Sequence, residues 1–364
     1  MNNIRNIKLD HLFNGNEDYL FVTGDCLEIL KNFPDESIDC VITSPPYWKQ
    51  RQYHHDGNQS VVPIGDENCY QDYIKNLITI FSQLKRILKK EGSFWLNLGD
   101  KYHNKNLMGI PWRVAIAMQD DDWILRNDII WDQMKGTQSA KDRLRDIYEH
   151  IFHFVKQKTY YYAHNEIRIA PPTRAKNKNG TMISATGVSG KKYFEQIKRS
   201  TTLTESEKKN ALQALEETIE EMKRGEIVDF RMTIRGCQRT FHSDNNKVSG
   251  RAKELETKGF YILKMHSNGY LPSDIWRIVP EDKWRKDSHY AVFPEELLIN
   301  PIRATCPVNG IILDPFSGTG STVSAALNLG RKAIGIEISS DYNEFAKERL
   351  KETIQKMPSL FPLT

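Results

Sequence analysis

Four consecutive residues, Ser44, Pro45, Pro46 and Tyr47, have types and an order that could hold an amine. Neither proline has an amide hydrogen, so the carbonyl oxygen of Pro45 lacks its usual neighbours and can face a ligand. The hydroxyl of Ser44 adds a second acceptor, and two acceptors aimed at one point suit an NH2 group. The Tyr47 ring offers a flat surface for stacking a base. We therefore predict an amine pocket with these four catalytic residues; the alternative is a proline-rich turn with a packed aromatic ring.

A second stretch has the residue types of a loop that binds a nucleotide-like cofactor, namely Asp314, Pro315, Phe316, Ser317, Gly318, Thr319 and Gly320. Its glycines allow a close backbone approach to a ligand, and a helix that follows them offers free amides. Glu337 lies 23 positions after Asp314 at the end of the next predicted strand. An acid at that place can bind both ribose hydroxyls. The stretch is neither GxGxxG nor a Walker motif, so NAD and ATP fit it less well, and a plain structural turn is the alternative.

The elements around both stretches alternate between strand and helix, which predicts a doubly wound α/β domain. Apolar runs and turn residues predict strands at 19–22, 38–42, 93–98, 310–313 and 331–336, and helices at 26–32, 73–90, 320–329 and 341–356. Both stretches then follow strand ends, where α/β enzymes place their chemistry. We expect folding to bring them side by side.

The alternation stops after about residue 165. Residues 171–269 are polar and rich in Lys and Arg, with one clear amphipathic helix at 204–224 that begins at a capping box. We therefore predict a division into residues 1–165, an insertion at 166–270, and residues 271–364. A basic surface on the insertion is compatible with a polyanionic partner.

These residues resemble the amino-methyltransferases of DNA, which use S-adenosyl-L-methionine to methylate N4 of cytosine or N6 of adenine. Ser44 to Tyr47 match the catalytic motif of that family, and Asp314 to Gly320 match its cofactor motif. The catalytic motif comes first here, as in the β group of the family. The resemblance covers the chain outside residues 165–270 and implies a mostly parallel, seven-stranded Rossmann-like sheet with an inserted target-recognition region.

The resemblance also assigns the remaining cofactor residues. Asp25 and Cys26 match the loop on the adenine side of the cofactor, and Glu337 matches the ribose acid. Phe293, Pro294 and Glu295 match the segment on the methionine side, although the family more often has proline where Tyr290 stands. Contacts with double-stranded DNA are expected from Lys49, Arg51, Arg231, Arg235 and Arg239.

By the same resemblance the target base leaves the duplex and enters the Ser44 pocket. Serine at the first motif position favours cytosine N4, because the adenine enzymes of the family more often carry Asp or Asn. A hydroxyl and a carboxylate both accept from an amine, so adenine N6 stays an alternative. An RNA or protein amine methylase and a non-catalytic DNA-binding regulator are further alternatives. Methylation at carbon 5 of cytosine is excluded, because it needs a Pro-Cys nucleophile and no proline here precedes a cysteine.

The bulk composition agrees with a globular protein of a reducing cytoplasm. The net charge is +4, and the five cysteines are dispersed with no CxxC pair, so neither zinc nor another metal is implied. Residues 1–10 are polar and no apolar run approaches membrane length, so we expect a cytoplasmic, nucleoid-associated prokaryotic protein without a membrane partner. Sequence leaves open whether it is a monomer or a homodimer and whether a cognate restriction endonuclease accompanies it.

Overall fold

A computed structural model describes residues 17–50, 63–134, 141–170, 176–178, 181–183, 190–237, 250–280 and 294–356. Its strands are β1 (Tyr19–Thr23), β2 (Ile38–Thr43), β3 (Leu88–Leu98), β4 (Tyr102–His103), β5 (Asn106–Leu107), β6 (Ile124–Asp132), β7 (Tyr148–Val155), β8 (Lys176–Lys178), β9 (Thr181–Ile183), β10 (Ile227–Ile234), β11 (Phe260–His266), β12 (Ile275–Arg277), β13 (Ile311–Asp314) and β14 (Lys332–Glu337). Its α-helices are α1 (Cys26–Leu30), α2 (Tyr70–Ile87), α3 (Ile110–Asp120), α4 (Gly190–Arg199), α5 (Glu205–Lys223), α6 (Gly250–Lys258), α7 (Glu295–Thr305), α8 (Ser321–Asn328) and α9 (Ser340–Lys356). In this part of the chain, no helix has the length and apolar character needed to span a bilayer.

Within the described ranges, the central sheet has eight strands in the order β1-β14-β13-β2-β3-β7-β6-β12. All neighbours pair in parallel except β7, which is antiparallel to both β3 and β6. The predicted doubly wound, mostly parallel α/β fold is confirmed, but the predicted count of seven strands is wrong. The eighth strand is β12, a three-residue edge strand that pairs with β6. It is too short to produce a periodic pattern in the sequence.

Apolar residues of each inner strand alternate between two cores on opposite faces of the sheet. On β2, Val41 belongs to one buried cluster while Cys40 and Ile42 belong to the other. Helices α1, α2 and α3 cover the first face, and α7 and α8 cover the second. Successive side chains of a strand point to opposite faces, so this alternation requires helices on both sides.

The strand order reverses between β2 and β13. From β2 the chain proceeds to β3 on one side, and from β13 it proceeds to β14 on the other. Ligands of open α/β sheets bind outside the carboxyl ends of the strands at such a switch point. The crevice between the ends of β2 and β13 is therefore the place where the fold favours a site.

The chain divides into two compact units, one of residues 1–167 with 273–364 and one of residues 168–272. The second unit has its own core, in which α4 and α5 pack with the antiparallel pair β10 and β11. Helix α5 begins at the predicted capping box. Thr204 Oγ1 accepts from the Glu207 amide at 3.2 Å, and the Glu207 carboxylate accepts from the Thr204 amide at 2.8 Å.

The predicted bounds of α2 and the predicted start of β3 are wrong by three to five residues. Helix α2 runs from Tyr70 to Ile87, whereas the apolar stripe predicts a helix from residue 73 to residue 90, and β3 begins at Leu88 rather than at residue 93. Leu88 is extended and pairs with Ile38, and a register shift then separates this pair from Cys40 and Ser93. The strand β3 thus begins before Gly92, because pairing with β2 outweighs the local helical preference.

Candidate active site

The two predicted stretches meet at the switch point of the sheet. Ser44 follows β2 directly, and Asp314 is the last residue of the neighbouring strand β13. The hydroxyl of buried Thr43 donates to Asp314 Oδ1 at 2.6 Å. This bond joins residues 271 positions apart in the sequence and places the start of the amine motif beside the start of the cofactor loop.

Asp314 is a structural carboxylate rather than an exposed ligand. Its other oxygen accepts from the Thr322 hydroxyl at 2.6 Å, and Oδ1 also accepts from the Phe316 amide at 3.0 Å. Burial raises the pKa of this carboxyl from 3.8 to about 6, and the three hydrogen bonds oppose that shift. Asp314 therefore fixes the shape of the loop that follows it.

The loop uses its two glycines in different ways. Both have left-handed backbones, with φ of 49° at Gly318 and 77° at Gly320. A Cβ on Gly320 would lie 2.9 Å from the Ala346 Cβ, so this glycine permits close packing of the loop against the interior. A Cβ on Gly318 would meet nothing within 4 Å, so the backbone there faces open space. Gly318 thus leaves room for a ligand to approach the main chain.

Glu337 ends β14 and braces the same loop. Its Oε2 accepts from the Gly318 amide at 2.9 Å, and its Oε1 accepts from the Ser339 amide at 3.0 Å. Burial is the main cause that raises the pKa of this carboxyl above its usual value. Each oxygen keeps a further lone pair, so the carboxylate can accept ribose hydroxyls in addition.

The predicted adenine-side residues lie next to Glu337. The Gly24 amide donates to the Glu337 carbonyl at 2.9 Å, because β1 pairs with β14. Asp25 is exposed and caps α1, accepting from the Glu28 amide at 3.0 Å. Cys26 is buried, and burial raises the pKa of its thiol to about 12, so it is a neutral packing residue.

One methionine-side residue, Glu295, is half-buried and pairs with the buried guanidinium of Arg349. Pro294 precedes α7, and Glu295 begins it. Glu295 Oε1 accepts from Arg349 of α9 at 2.8 Å, and the same guanidinium donates to Ser321 Oγ at 2.9 Å. It also reaches Thr319 Oγ1 at 3.4 Å. Phe293 lies outside the described residues.

The amine side of the crevice contains a hydrogen-bonded cluster around Tyr47. Ser44 Oγ donates to Tyr47 Oη at 3.1 Å, and Tyr47 Oη donates to Glu149 Oε2 at 2.6 Å. Buried Asn97 donates from Nδ2 to Tyr47 Oη at 2.5 Å and to Glu149 Oε2 at 2.6 Å. Gln133 Nε2 donates to Glu149 Oε1 at 2.9 Å. Tyr47 is thus held directly by Asn97 of β3 and Glu149 of β7, and Gln133, which follows β6, holds Glu149 in turn.

Neighbouring residues fix the backbone and ring of the motif. Tyr73 of α2 donates its hydroxyl to the Pro46 carbonyl at 2.9 Å. A Cβ on Gly99 would lie 2.8 Å from Tyr47 Cε2, so only glycine leaves room for the ring there. Within the described part of the chain, no donor reaches the Pro45 carbonyl. That oxygen is therefore open to a ligand, whereas Ser44 Oγ already accepts from Asn97 Nδ2 at 3.4 Å and keeps one further lone pair.

Comparison with known proteins identifies the family. The family model of the N6/N4 methyltransferases, described as DNA methylase, matches residues 38–348. The chain belongs to the DNA methylase family. The Type II methyltransferase M.SfiI of Streptomyces fimbriatus is 30% identical over 89% of each sequence. M.Cfr9I of Citrobacter freundii, also a Type II methyltransferase, is 35% identical over 90% of this chain and 86% of its own.

A solved structure shows the same fold. The PvuII DNA methyltransferase (cytosine-N4-specific) superposes with a TM-score of 0.53 at 17% identity, covering 93% of this methylase and 92% of its own chain. The resemblance to the DNA amino-methyltransferases is thereby confirmed at the level of the family and of the fold.

The residues predicted to contact DNA have different environments in this methylase. Lys49 is exposed just after the catalytic motif, and its Nζ donates to the Asp66 carbonyl at 2.9 Å. Arg231 is exposed on β10. Arg235 instead pairs with Glu207 at 2.7 Å and donates to the carbonyls of Thr202 and Glu256. Arg51 and Arg239 lie outside the described residues.

Sequence reasoning missed the residues that support the two stretches. Thr43 ends β2, Asn97, Gln133 and Glu149 lie at the ends of other strands, and Arg349 lies on helix α9. Asn97 and Gln133 did carry a weak signal, because each is a polar residue at or just after the end of an apolar strand. Glu149 lies at the start of β7, and only the antiparallel direction of that strand brings it to the same edge. That direction is not visible in the sequence.

A cavity of about 350 Å³ lies at the opposite end of β2 and includes Asp39, Lys89 and Gln157 in its lining. The carboxylate of Asp39 is already paired, with Lys89 Nζ at 2.7 Å and with the Ile311 amide at 2.9 Å. We assign this cavity no part in the chemistry, because it lies at the amino end of the strand.

Proposed function

We propose that this methylase transfers a methyl group from S-adenosyl-L-methionine to the exocyclic N4 amine of a cytosine that is flipped out of duplex DNA. One observation carries the proposal: the hydrogen bond between Thr43 and Asp314 sets the amine motif beside the cofactor loop. The amine pocket and the cofactor loop then border the same crevice, and much of the rate would come from holding the amine next to the methyl donor.

The residues around Gly318 fit a nucleoside cofactor. The open space beside Gly318 admits a ligand to the backbone, and Glu337 presents a carboxylate fixed at both oxygens. We assign the ribose to Glu337, the adenine side to Asp25 and Cys26, and the methionine side to Pro294 and Glu295. S-adenosyl-L-methionine supplies an electrophilic methyl group on a sulfonium.

The chain's own residues hold the amine. Ser44 Oγ and the Pro45 carbonyl accept its two hydrogens, which leaves the nitrogen lone pair free to face the methyl carbon. The Tyr47 ring stacks on the base, and the hydrogen bonds from its hydroxyl keep the ring in place. Serine at position 44 favours cytosine over adenine as the target. Residues 168–272, with Arg231 exposed, contribute to recognition of the DNA sequence.

Sequencing of genomic DNA tests this function directly. The chain is expressed in cells free of other DNA methylases, and the genome is read for N4-methylcytosine and N6-methyladenine. We expect N4-methylcytosine at one short sequence. N6-methyladenine would overturn the cytosine assignment, and methyl transfer from labelled cofactor to RNA or protein, but not to duplex DNA, would overturn the DNA substrate.

Substitution of Ser44 by alanine tests the amine pocket. Ser44→Ala removes one acceptor from the target amine and should lower the single-turnover rate on duplex DNA by roughly 10²-fold. Cofactor affinity, measured by calorimetry, should stay within about threefold of wild type. A wild-type rate in this variant would contradict the role of Ser44.

A further inference from the structure

A chain of hydrogen bonds leads from the amine pocket to a carboxylate on another strand. Its first link is Ser44 Oγ to Tyr47 Oη at 3.1 Å, and its second is Tyr47 Oη to Glu149 Oε2 at 2.6 Å. In both links the hydroxyl nearer the pocket is the donor. The three groups therefore form a continuous series that ends at the only member able to carry a negative charge at neutral pH.

The surrounding donors fix the direction of this series. Asn97 Nδ2 donates to Tyr47 Oη and to Glu149 Oε2, and it also reaches Ser44 Oγ at 3.4 Å. Gln133 Nε2 donates to Glu149 Oε1. An amide NH2 can donate but cannot accept a hydrogen bond, so the Tyr47 proton points at the Glu149 carboxylate. Burial, and next the negative charge of Glu149, raise the pKa of the Tyr47 phenol well above 10, so it stays protonated.

The sheet explains why these residues meet. Asn97 is near the carboxyl end of β3, and Gln133 directly follows β6, which runs in the same direction. Strand β7 is antiparallel to both, so its first residues, including Glu149, lie at that same edge. Among the described strands of the sheet, β7 alone is antiparallel to its neighbours, and it brings a carboxylate to the edge where the parallel strands end.

We propose that Ser44, Tyr47 and Glu149 form a proton path that removes the proton released when the target amine is methylated. This proposal rests on the proposed transfer to an exocyclic amine. Glu149 is the terminal acceptor of the path, and Asn97 and Gln133 are positioning residues that orient it.

The nitrogen lone pair forms the N–C bond while the C–S bond of the sulfonium donor breaks and its electron pair stays on sulfur. The nitrogen then bears a positive charge and one surplus proton. That proton passes to Ser44 Oγ, the Ser44 proton passes to Tyr47 Oη, and the Tyr47 proton passes to Glu149 Oε2. Both hydroxyls are restored, the amine is neutral, and half-buried Glu149 returns its proton to solvent.

The negative charge of Glu149 has a second effect in the same step. It holds the Ser44 and Tyr47 protons away from the amine, so a lone pair of Ser44 Oγ faces the substrate hydrogen. It also opposes the positive charge that develops on nitrogen, and such preorganised charges stabilise a transition state in a partly water-excluded site. An isosteric neutral side chain would keep the shape of the cluster and lose both effects.

The proton path is tested by single-turnover methylation of an unmethylated duplex oligonucleotide that contains the target sequence found by genomic sequencing. Glu149→Gln can still accept from Tyr47 but cannot take up a proton, so its rate should fall by about 10²-fold. Tyr47→Phe breaks the path in the middle and should lose a similar factor. The double variant E149Q/Y47F should lose no more than the stronger single variant, because both changes interrupt one route.

Two controls separate this role from a structural one. Asp128→Asn removes a carboxylate from the adjacent strand β6, where it contacts His150 at 2.8 Å, and should leave the rate within about twofold of wild type. Glu149→Asp restores a carboxylate and should recover part of the lost rate. Affinities of E149Q for the cofactor and for the duplex should match those of wild type within about threefold.

A spectroscopic measurement reports on the link without turnover. In enzyme labelled with [13C]tyrosine at Cζ, the Tyr47 signal is assigned by its loss in Y47F, and it should shift in E149Q but not in D128N.

A wild-type rate in E149Q, or losses that multiply in the double variant, would overturn the path. If E149Q does not fold, Y47F decides, since a wild-type rate there also overturns it. The rates of the variants relative to wild type can be compared whichever amine is methylated. A product identified as N6-methyladenine would therefore refute the cytosine assignment, while the same rates would still decide whether the proton path exists.

Discussion

At the scale of single residues, Asp314 connects the two halves of the site. It is buried, and its carboxylate accepts from Thr43 before the amine motif and from Thr322 at the start of α8. A charge in such a position costs desolvation energy, which the three hydrogen bonds only partly offset. The hydrogen bonds that join the two halves of the site therefore depend on whether the Asp314 carboxyl is charged.

This ionisation predicts a pH dependence of stability. The folded pKa of about 6 lies above the unpaired value of 3.8, so the folded state binds the Asp314 proton more tightly than the unfolded state. The stabilisation is complete below about pH 4 and is lost as pH rises through 6, by roughly 3 kcal/mol. Urea unfolding from pH 4 to pH 7 should show this fall in wild type relative to Asp314→Asn. Parallel stability curves for the two proteins would contradict the shift.

The sequence predicts the residues of both motifs because each motif is a contiguous run with its own chemical logic. It does not predict the residues that support them from other strands. Thr43, Asn97 and Glu149 gain their partners from strand order and register, which arise only in the folded sheet. Glu337 is intermediate, since its distance from Asp314 in the sequence predicted its place, but not its hydrogen bonds to Gly318 and Ser339.

At the scale of secondary structure, helix α9 supports the cofactor loop through one side chain. Arg349 is 2% exposed and joins Glu295 of α7 to Ser321 of α8, with Thr319 of the loop at 3.4 Å. Two segments predicted to bind the cofactor, the loop that contains Thr319 and the start of α7, therefore share one buried cation with α8. The helix was predicted from its apolar pattern, but this function of its polar face was not.

Removal of this cation should weaken both the fold and the cofactor site. Arg349→Met leaves the Glu295 carboxylate without its partner and should destabilise the protein by about 3 kcal/mol in urea unfolding. Cofactor affinity should fall by about tenfold, because the loop loses its support from behind. Lys347→Met on the same helix breaks only an exposed pair with Glu344, and it should change stability by less than about 0.5 kcal/mol. Wild-type cofactor affinity in R349M would show that the loop holds its shape without α9.

The predicted elements failed where neighbouring strands decide the structure. The eighth strand, β12, has three residues and exists because β6 offers an edge. The early end of α2 has a similar cause, since Leu88 pairs with Ile38 of β2. Long amphipathic helices such as α5 were predicted well, because their caps and apolar stripes are local properties.

At the scale of the whole molecule, the two compact units have separate cores. The unit of residues 168–272 buries residues such as Phe230 and Leu215 in a cluster that contains no residue of the larger unit. Its polar, basic composition predicted an insertion from the sequence alone. A separate core supports the proposal that this unit reads the DNA sequence, because its surface residues can then differ without changes to the core of the larger unit.

Two arginines of the smaller unit allow a test of which residues contact DNA and which only stabilise the unit. Arg231 is exposed on β10, whereas Arg235 on the turn that follows pairs with Glu207 and donates to backbone carbonyls. Arg231→Ala should weaken duplex binding and lower the slope of log affinity against log salt by about 1, as expected for one lost phosphate contact. Its unfolding temperature and cofactor affinity should equal those of wild type.

Arg235→Ala should have the opposite profile, because its guanidinium is occupied within the unit. The substitution removes the charged partner of Glu207, which keeps only its capping bond from the Thr204 amide, and it removes a donor from the carbonyls of Thr202 and Glu256, so the unfolding temperature should fall. The salt slope of DNA binding, measured where the variant is folded, should stay that of wild type. A lowered slope in R235A with unchanged stability would instead place Arg235 on the phosphates. An unchanged slope in R231A would show that Arg231 does not contact DNA phosphates. Loss of an arginine that contacts the duplex lowers the number of counterions released on binding, and the slope must then fall.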